Sequence, residues 1–229
     1  MTITTEAPRT ARPPQQRGPS LTVLAGMSLA LLVAGLALSA TLGGVFPSPY
    51  AHADTIRHYF VTQSDAVRAG GILTFASSVP LAIYAATASA RLRQLGMTAP
   101  GATIALAGGL LSAAALSLAG LLQWTLAQAP VRADESLVRA LQDLAFLTGG
   151  VMHVVFLGLL VAGIAVPGWL AALLPRPLAF AGLAIAVTAE LSTLSLLWQP
   201  MSFLLPLGRF PALLWLIAAG ILLPLKRTR

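Results

Sequence analysis

Residues 177–198 read PLAFAGLAIAVTAELSTLSLLW. At 1.5 Å per residue, 22 residues suffice for one helix across a hydrocarbon layer about 30 Å thick. Glu190 is the one charge in the stretch, and no other charged residue of the chain lies inside an apolar span. A carboxylate at that depth costs several kcal/mol unless it is protonated, paired or wet. Ala186 and Gly182, one and two turns before it, place it by four-residue spacing on a small-residue face. The expectation is therefore a carboxyl turned into a helix bundle and away from lipid.

Composition extends this reading to the whole chain. Of 229 residues, 57% are hydrophobic and 9% charged, against about 25% charged in soluble domains. The mean hydropathy is +0.83. With no cysteine, disulfides, thiolate metal sites, iron–sulfur clusters and cysteine nucleophiles are all excluded. Apolar runs fall at about 21–45, 68–90, 100–127, 144–166, 177–198 and 210–225. The fold class expected is all-α: a polytopic bundle of six transmembrane helices spanning residues 21–225. Residues 1–20, rich in Pro, Thr and Gln, read as a disordered cytoplasmic tail. The run from Leu21 to Phe46 is long for a signal peptide and reads as an uncleaved first helix. Pro80 should kink the second span.

The basic residues orient the bundle. With the N-terminus inside, nine fall on inner segments (Arg9, Arg12, Arg17, Arg91, Arg93, Arg176, Lys226, Arg227, Arg229) and five on outer ones (Arg57, Arg68, Arg132, Arg139, Arg209). This is the sense of the positive-inside rule, with both termini cytoplasmic. The net charge of +7 then belongs to membrane flanks and not to a nucleic-acid surface. In the first outer segment, Ile56, Tyr59 and Phe60 recur at helical spacing and predict a short helix lying at the interface.

Small residues repeat every fourth position at Gly35, Ser39 and Gly43, and at Ala105, Gly109, Ala113 and Ser117. Such stripes allow close helix approach, although a chain rich in Ala and Gly also produces them by chance. Gly70-Gly71 and Gly149-Gly150 each open a span running in the same sense, which suggests that spans two and three are a parallel copy of four and five.

Two constellations carry chemical potential. His153, ten residues beyond Asp143, and Glu190, eight before Trp198, lie about 15 and 12 Å below the same interface. Neighbouring spans would let them pair, as a proton relay, a ligand site or a structural hydrogen bond. Arg209 is a second partner for Glu190; Gln123, Trp124 and Asp143 stand at the same level, and together these residues describe a polar ligand-binding pocket in the outer half. Asp143 is also four residues from Arg139, on one helix face. The second constellation is His52, Asp54 and His58. Two imidazoles and a carboxylate can bind a metal, but no fourth ligand is evident, and His and Asp are ordinary surface residues.

No glycine-rich phosphate loop, HExxH sequence or convergent Ser/His/Asp set is present, so the sequence points away from an enzyme and specifies no cofactor. The expected role is binding or transport of a small molecule or lipid. An accessory subunit of a membrane complex and a metal or redox enzyme are the alternatives. Membrane lipids, a second copy of the chain and a larger membrane complex are the partners this size suggests.

The runs AVRAG (66–70), PLAIYAA (80–86), RLR (91–93), LAFLTGG (144–150), LGRF (207–210) and WLIAAG (215–220) together resemble a group of bacterial multi-span membrane proteins whose activity is unassigned. The resemblance covers about residues 21–225. It implies a multi-pass protein of the bacterial cytoplasmic (inner) membrane with about six helices, and it assigns no functional residue.

Overall fold

The computed structural model describes residues 18–44, 46–48 and 50–225. Most of the tail expected over residues 1–20, and the basic residues Lys226, Arg227 and Arg229, lie outside them. No strand occurs among the described residues. Six long apolar helices are present, each long and apolar enough to cross a membrane, so this is an all-α, multi-pass membrane protein of the kind the resemblance implies.

The first, α1 (Leu21–Gly43), begins where the Ser20 side chain accepts from the Val23 N–H. A short helix α2 (Ala53–Thr62) leads into α3 (Ser64–Gln94), and α4 is Gly101–Leu126. One turn, α5 (Ala129–Arg132), precedes α6 (Glu135–Leu147), which runs through a π-helical turn (Thr148–Met152) directly into α7 (His153–Leu170). The fourth span thus starts at Glu135, earlier than hydropathy alone indicates, because Asp134 caps its first turn by accepting from Leu137 N–H at 3.0 Å. The fifth, α8 (Arg176–Leu191), tightens into a 3₁₀ turn over Ser192–Leu196, where Ser192 and Ser195 hydroxyls donate to carbonyls three residues back. A second 3₁₀ turn, Gln199–Phe203, opens α9 (Leu204–Leu222).

The helices close a ring. Helix α1 packs on α3 and α9, α3 on α4, α4 on α7, α7 on α8, and α8 on α9. Glycine makes the tightest of these approaches. A Cβ on Gly71 would lie 2.8 Å from Gly120 O, and one on Gly108 2.7 Å from Leu160 N. In the first stripe, Gly43 meets Ala66 and Ser39 Oγ donates to Ala66 O at 3.2 Å, both on α3. In the other, Gly109 meets Ala85 of α3 while Ala105 is met by Gly163 of α7, so one helix serves two partners. Polar atoms tie the ring as well: Tyr84 Oη donates to Leu216 O at 3.0 Å and Trp215 Nε1 to Leu178 O at 2.8 Å. One turn before Pro80, whose ring cannot complete the helical ladder, Ser28 Oγ of α1 donates to the Ser77 carbonyl at 2.8 Å.

Helix α2 forms where the spacing of Ile56, Tyr59 and Phe60 predicts it, but its apolar side is not spread on an interface. Ile56 and Phe60 are fully buried with Val67, Leu126 and Val138. Burying two large side chains against protein gains about 1.5–3 kcal/mol each, and the helix becomes a cap over one end of the bundle. Arg139 Nη1 donates to Ala51 O at 2.9 Å and Arg132 Nη1 to Val61 O at 3.0 Å, fixing both ends of the cap.

Candidate functional site

A cavity of about 530 Å³ lies among α1, α3, α4, α6, the π turn and α9, with Gly44, Phe46 and Pro47 of the segment before α2 on its wall. Its walls are mostly apolar, with Leu32, Leu36, Leu116, Phe146 and Leu205 among them. Polar groups reach it from separate elements: Ser39 from α1, Thr74 from α3, Gln123 from α4, Gln142 from α6 and Arg209 from α9. Leu36 and Ala40, both exposed on α1, mark its mouth.

The π turn shapes one wall. Thr148 Oγ1 donates to Leu144 O at 2.7 Å, and two glycines follow. A Cβ on Gly149 would lie 2.8 Å from Ala119 Cβ, so the first glycine lets the turn press against α4, and Arg209 Nη2 donates to the Gly149 carbonyl. An inserted π residue turns the following helix by about 100° relative to the preceding one. Gln142 and Ala145 thereby line the cavity, while His153, just beyond the turn, is fully buried against α4. The two glycine pairs of the suggested repeat are thus not equivalent: Gly70-Gly71 is α-helical and Gly149-Gly150 is π-helical.

His153 is held by Ser112. Its Nδ1 lies 2.9 Å from Ser112 Oγ and 3.1 Å from Ser112 O, while Ser112 Oγ donates to His153 O at 3.0 Å. With the hydroxyl proton committed to that carbonyl, Nδ1 carries the ring proton and donates to Ser112 O. Nε2 is then the acceptor, buried and without a hydrogen-bond partner among the described residues.

The expected pairing of His153 with Glu190 does not form. The two residues stand at one level, since Gly208 of α9 abuts both Val154 and Ala189. Yet no hydrogen bond joins them, and Glu190 is exposed, its carboxyl beside Gly158 of α7. The reason is helical phase. Gly182, Ala186 and Ala189 make the buried face of α8; at 100° per residue, position 190 stands about 80° from position 182, whereas 189 returns to within about 20° of it. Nor does Arg209 pair with Glu190: the ion pairs among the described residues are Arg68–Asp65 and Arg139–Asp143. Glu190→Gln is accordingly expected to leave unfolding in detergent unchanged or shifted upward by up to about 1 kcal/mol, since the neutral amide is cheaper on an apolar flank. A loss of stability on that substitution would mean the carboxyl holds a contact.

Of the other residues singled out from sequence, Gln123 and Arg209 line the cavity and Asp143 and Trp124 do not. Asp143 accepts from Arg139 Nε at 3.2 Å, and Trp124 is 43% exposed. His52, Asp54 and His58 are exposed and form no cluster of three metal-ligating side chains, there being none among the described residues. Ser39, Thr74 and Gln142 line the cavity without having been read as part of the pocket, and Gln142 is the one among them with a signal in the sequence. Val138, Gln142 and Ala145 are the buried positions of α6, and their i, i+4, i+7 spacing was the available signal. The chain matches no protein-family model, no curated protein and no solved structure.

Proposed function

We propose that this protein binds a small amphipathic molecule, lipid or lipid-like, taken from the membrane into the cavity between α1, α3, α4, α6 and α9. The single observation behind the reading is the cavity itself. At about 530 Å³ it falls within the roughly 300–1,000 Å³ of small-molecule sites, and like them it combines apolar walls with a few convergent polar groups. An apolar body fits against Leu32, Leu116 and Leu205, and a polar head fits against Gln123, Gln142 and Arg209 of the same lining. The distribution of basic residues supports an orientation with both termini in the cytoplasm, which puts these polar groups in the outer leaflet. The family resemblance supports the bacterial cytoplasmic membrane as its place.

The mouth offers a direct test. Ala40 is exposed and lines the cavity, so Ala40→Trp fills the entrance without disturbing the core. A photoactivatable sixteen-carbon alcohol should label wild-type protein at cavity residues such as Leu36 and Phe146. Ala40→Trp should reduce that labelling about tenfold, a change of about 1.4 kcal/mol in occupancy, with thermal stability unchanged. Undiminished labelling of the filled variant would remove the cavity as the site.

A further inference from the structure

Arg209 is a half-buried cation on α9, and its charge meets no opposite charge among the described residues. Its Nη2 donates to a backbone carbonyl, Gly149 O, which bears no net charge. Its Nε is buried and has no hydrogen-bond partner among the described residues. No carboxylate lies within 4.0 Å of it among them; Asp143, the acid adjoining the cavity residue Gln142, is engaged with Arg139. A cation partly withdrawn from water and left unpaired is unfavourable, the more so where one of its N–H donors is enclosed. Arginine keeps its charge at every accessible pH, so it cannot escape the penalty by losing a proton. The same residue lines the cavity.

A second observation converges on the same place. Gln142 is 2% exposed and also lines the cavity. Its Nε2 donates to Pro47 O at 3.3 Å, while Oε1 is buried and has no partner among the described residues. The cavity lining therefore presents both a charged donor fork and a neutral acceptor without a partner among the described residues. A neutral ligand would leave the guanidinium uncompensated, and a cationic one would be repelled.

We propose that the ligand is an anionic amphiphile whose oxyanion headgroup, carboxylate or phosphate, pairs with Arg209. The planar fork of arginine matches both groups bidentately, and Gln142 Oε1 accepts from a hydroxyl or amide N–H that accompanies the anion. This assignment rests on the reading of the cavity as a ligand site.

The experiment compares three probes on the full chain in a neutral maltoside detergent at pH 8: palmitate, hexadecanol and inorganic phosphate, with dissociation constants read by native mass spectrometry. Palmitate should bind at least about tenfold more tightly than hexadecanol, the ratio expected of one charge-assisted hydrogen bond. Arg209→Gln should bring palmitate down to the level of hexadecanol and leave hexadecanol unchanged, which also reports that the variant is folded. If Arg209→Gln loses both probes, Arg209→Lys decides: retention of the palmitate preference supports the pairing, and its loss overturns it. Equal binding of acid and alcohol, unaltered in Arg209→Gln, overturns the anionic assignment while the cavity reading survives. Failure of both probes on the wild-type protein overturns both. Phosphate that displaces palmitate at comparable concentration makes the ligand a soluble anion and overturns the amphiphile; phosphate without effect assigns the anion to a headgroup.

Discussion

Gly120→Leu is expected to prevent the bundle from assembling. A Cβ at this position would lie 2.6 Å from Phe75 N, 2.7 Å from Gly71 O and 2.9 Å from Phe75 Cα, where carbon atoms in contact need about 3.5–4.0 Å. Every obstructing atom is backbone, so no change of rotamer can relieve the overlap. Helices α3 and α4 would have to separate along their length, and their contact is the most extensive in the molecule. The reciprocal glycine offers no slack, since a Cβ on Gly71 would be 2.9 Å from Trp124 N. Overpacking of this kind costs about 3 kcal/mol or more. In a membrane the loss falls on packing itself, because lipid tails satisfy apolar side chains as well as a neighbouring helix does. Unfolding by SDS titration of purified protein measures it. Gly26→Leu is the control, as nothing lies within 4 Å of a Cβ there. A Gly120→Leu protein that unfolds at the wild-type SDS fraction would show that α3 and α4 do not touch at this point.

That interface also shows how much of the molecule a reader of the sequence can reach. The six helices follow from hydropathy and length, because a bilayer admits few other solutions. Close helix approach follows from the density of glycine, and the first stripe, Gly35–Ser39–Gly43, does lie on α3. Which glycines matter most is less accessible. Gly71, Gly108, Gly120 and Gly163 belong to none of the four-residue stripes singled out, and the helix that each meets is fixed only by the ring order. The candidate site was less legible still, for two physical reasons. Four-residue spacing drifts by about 40° per step, enough over two steps to carry Glu190 out of the packed face that Ala189 occupies. The π turn at Thr148–Met152 alters the phase of everything after it and leaves only Gly149-Gly150 as a trace in the sequence. Arg209 was visible as an interfacial cation; that it turns inward to a carbonyl exposed by that turn was not.

His153→Ala is expected to destabilise the protein by about 3 kcal/mol. The imidazole is fully buried, so truncation leaves a void between α4 and α7, and core truncations of comparable size cost about 2–5 kcal/mol. It also removes the 3.1 Å bond from Nδ1 to Ser112 O, worth about 1 kcal/mol. Ser112→Ala should cost less, about 1 kcal/mol, because Ser112 O still receives the imidazole proton. The two side chains meet at 2.9 Å, so their effects should not add: the double variant should fall short of the sum of the singles by about 0.5–1 kcal/mol. SDS titration of the four proteins yields this coupling. Additive effects would mean that hydroxyl and ring do not touch. A structural clamp also predicts a specific pattern in binding. The ring turns its one protonated nitrogen to α4 and does not line the cavity, so the folded fraction of His153→Ala should still be labelled by the photoactivatable alcohol. Loss of labelling in folded protein would instead place the free Nε2 in contact with the ligand.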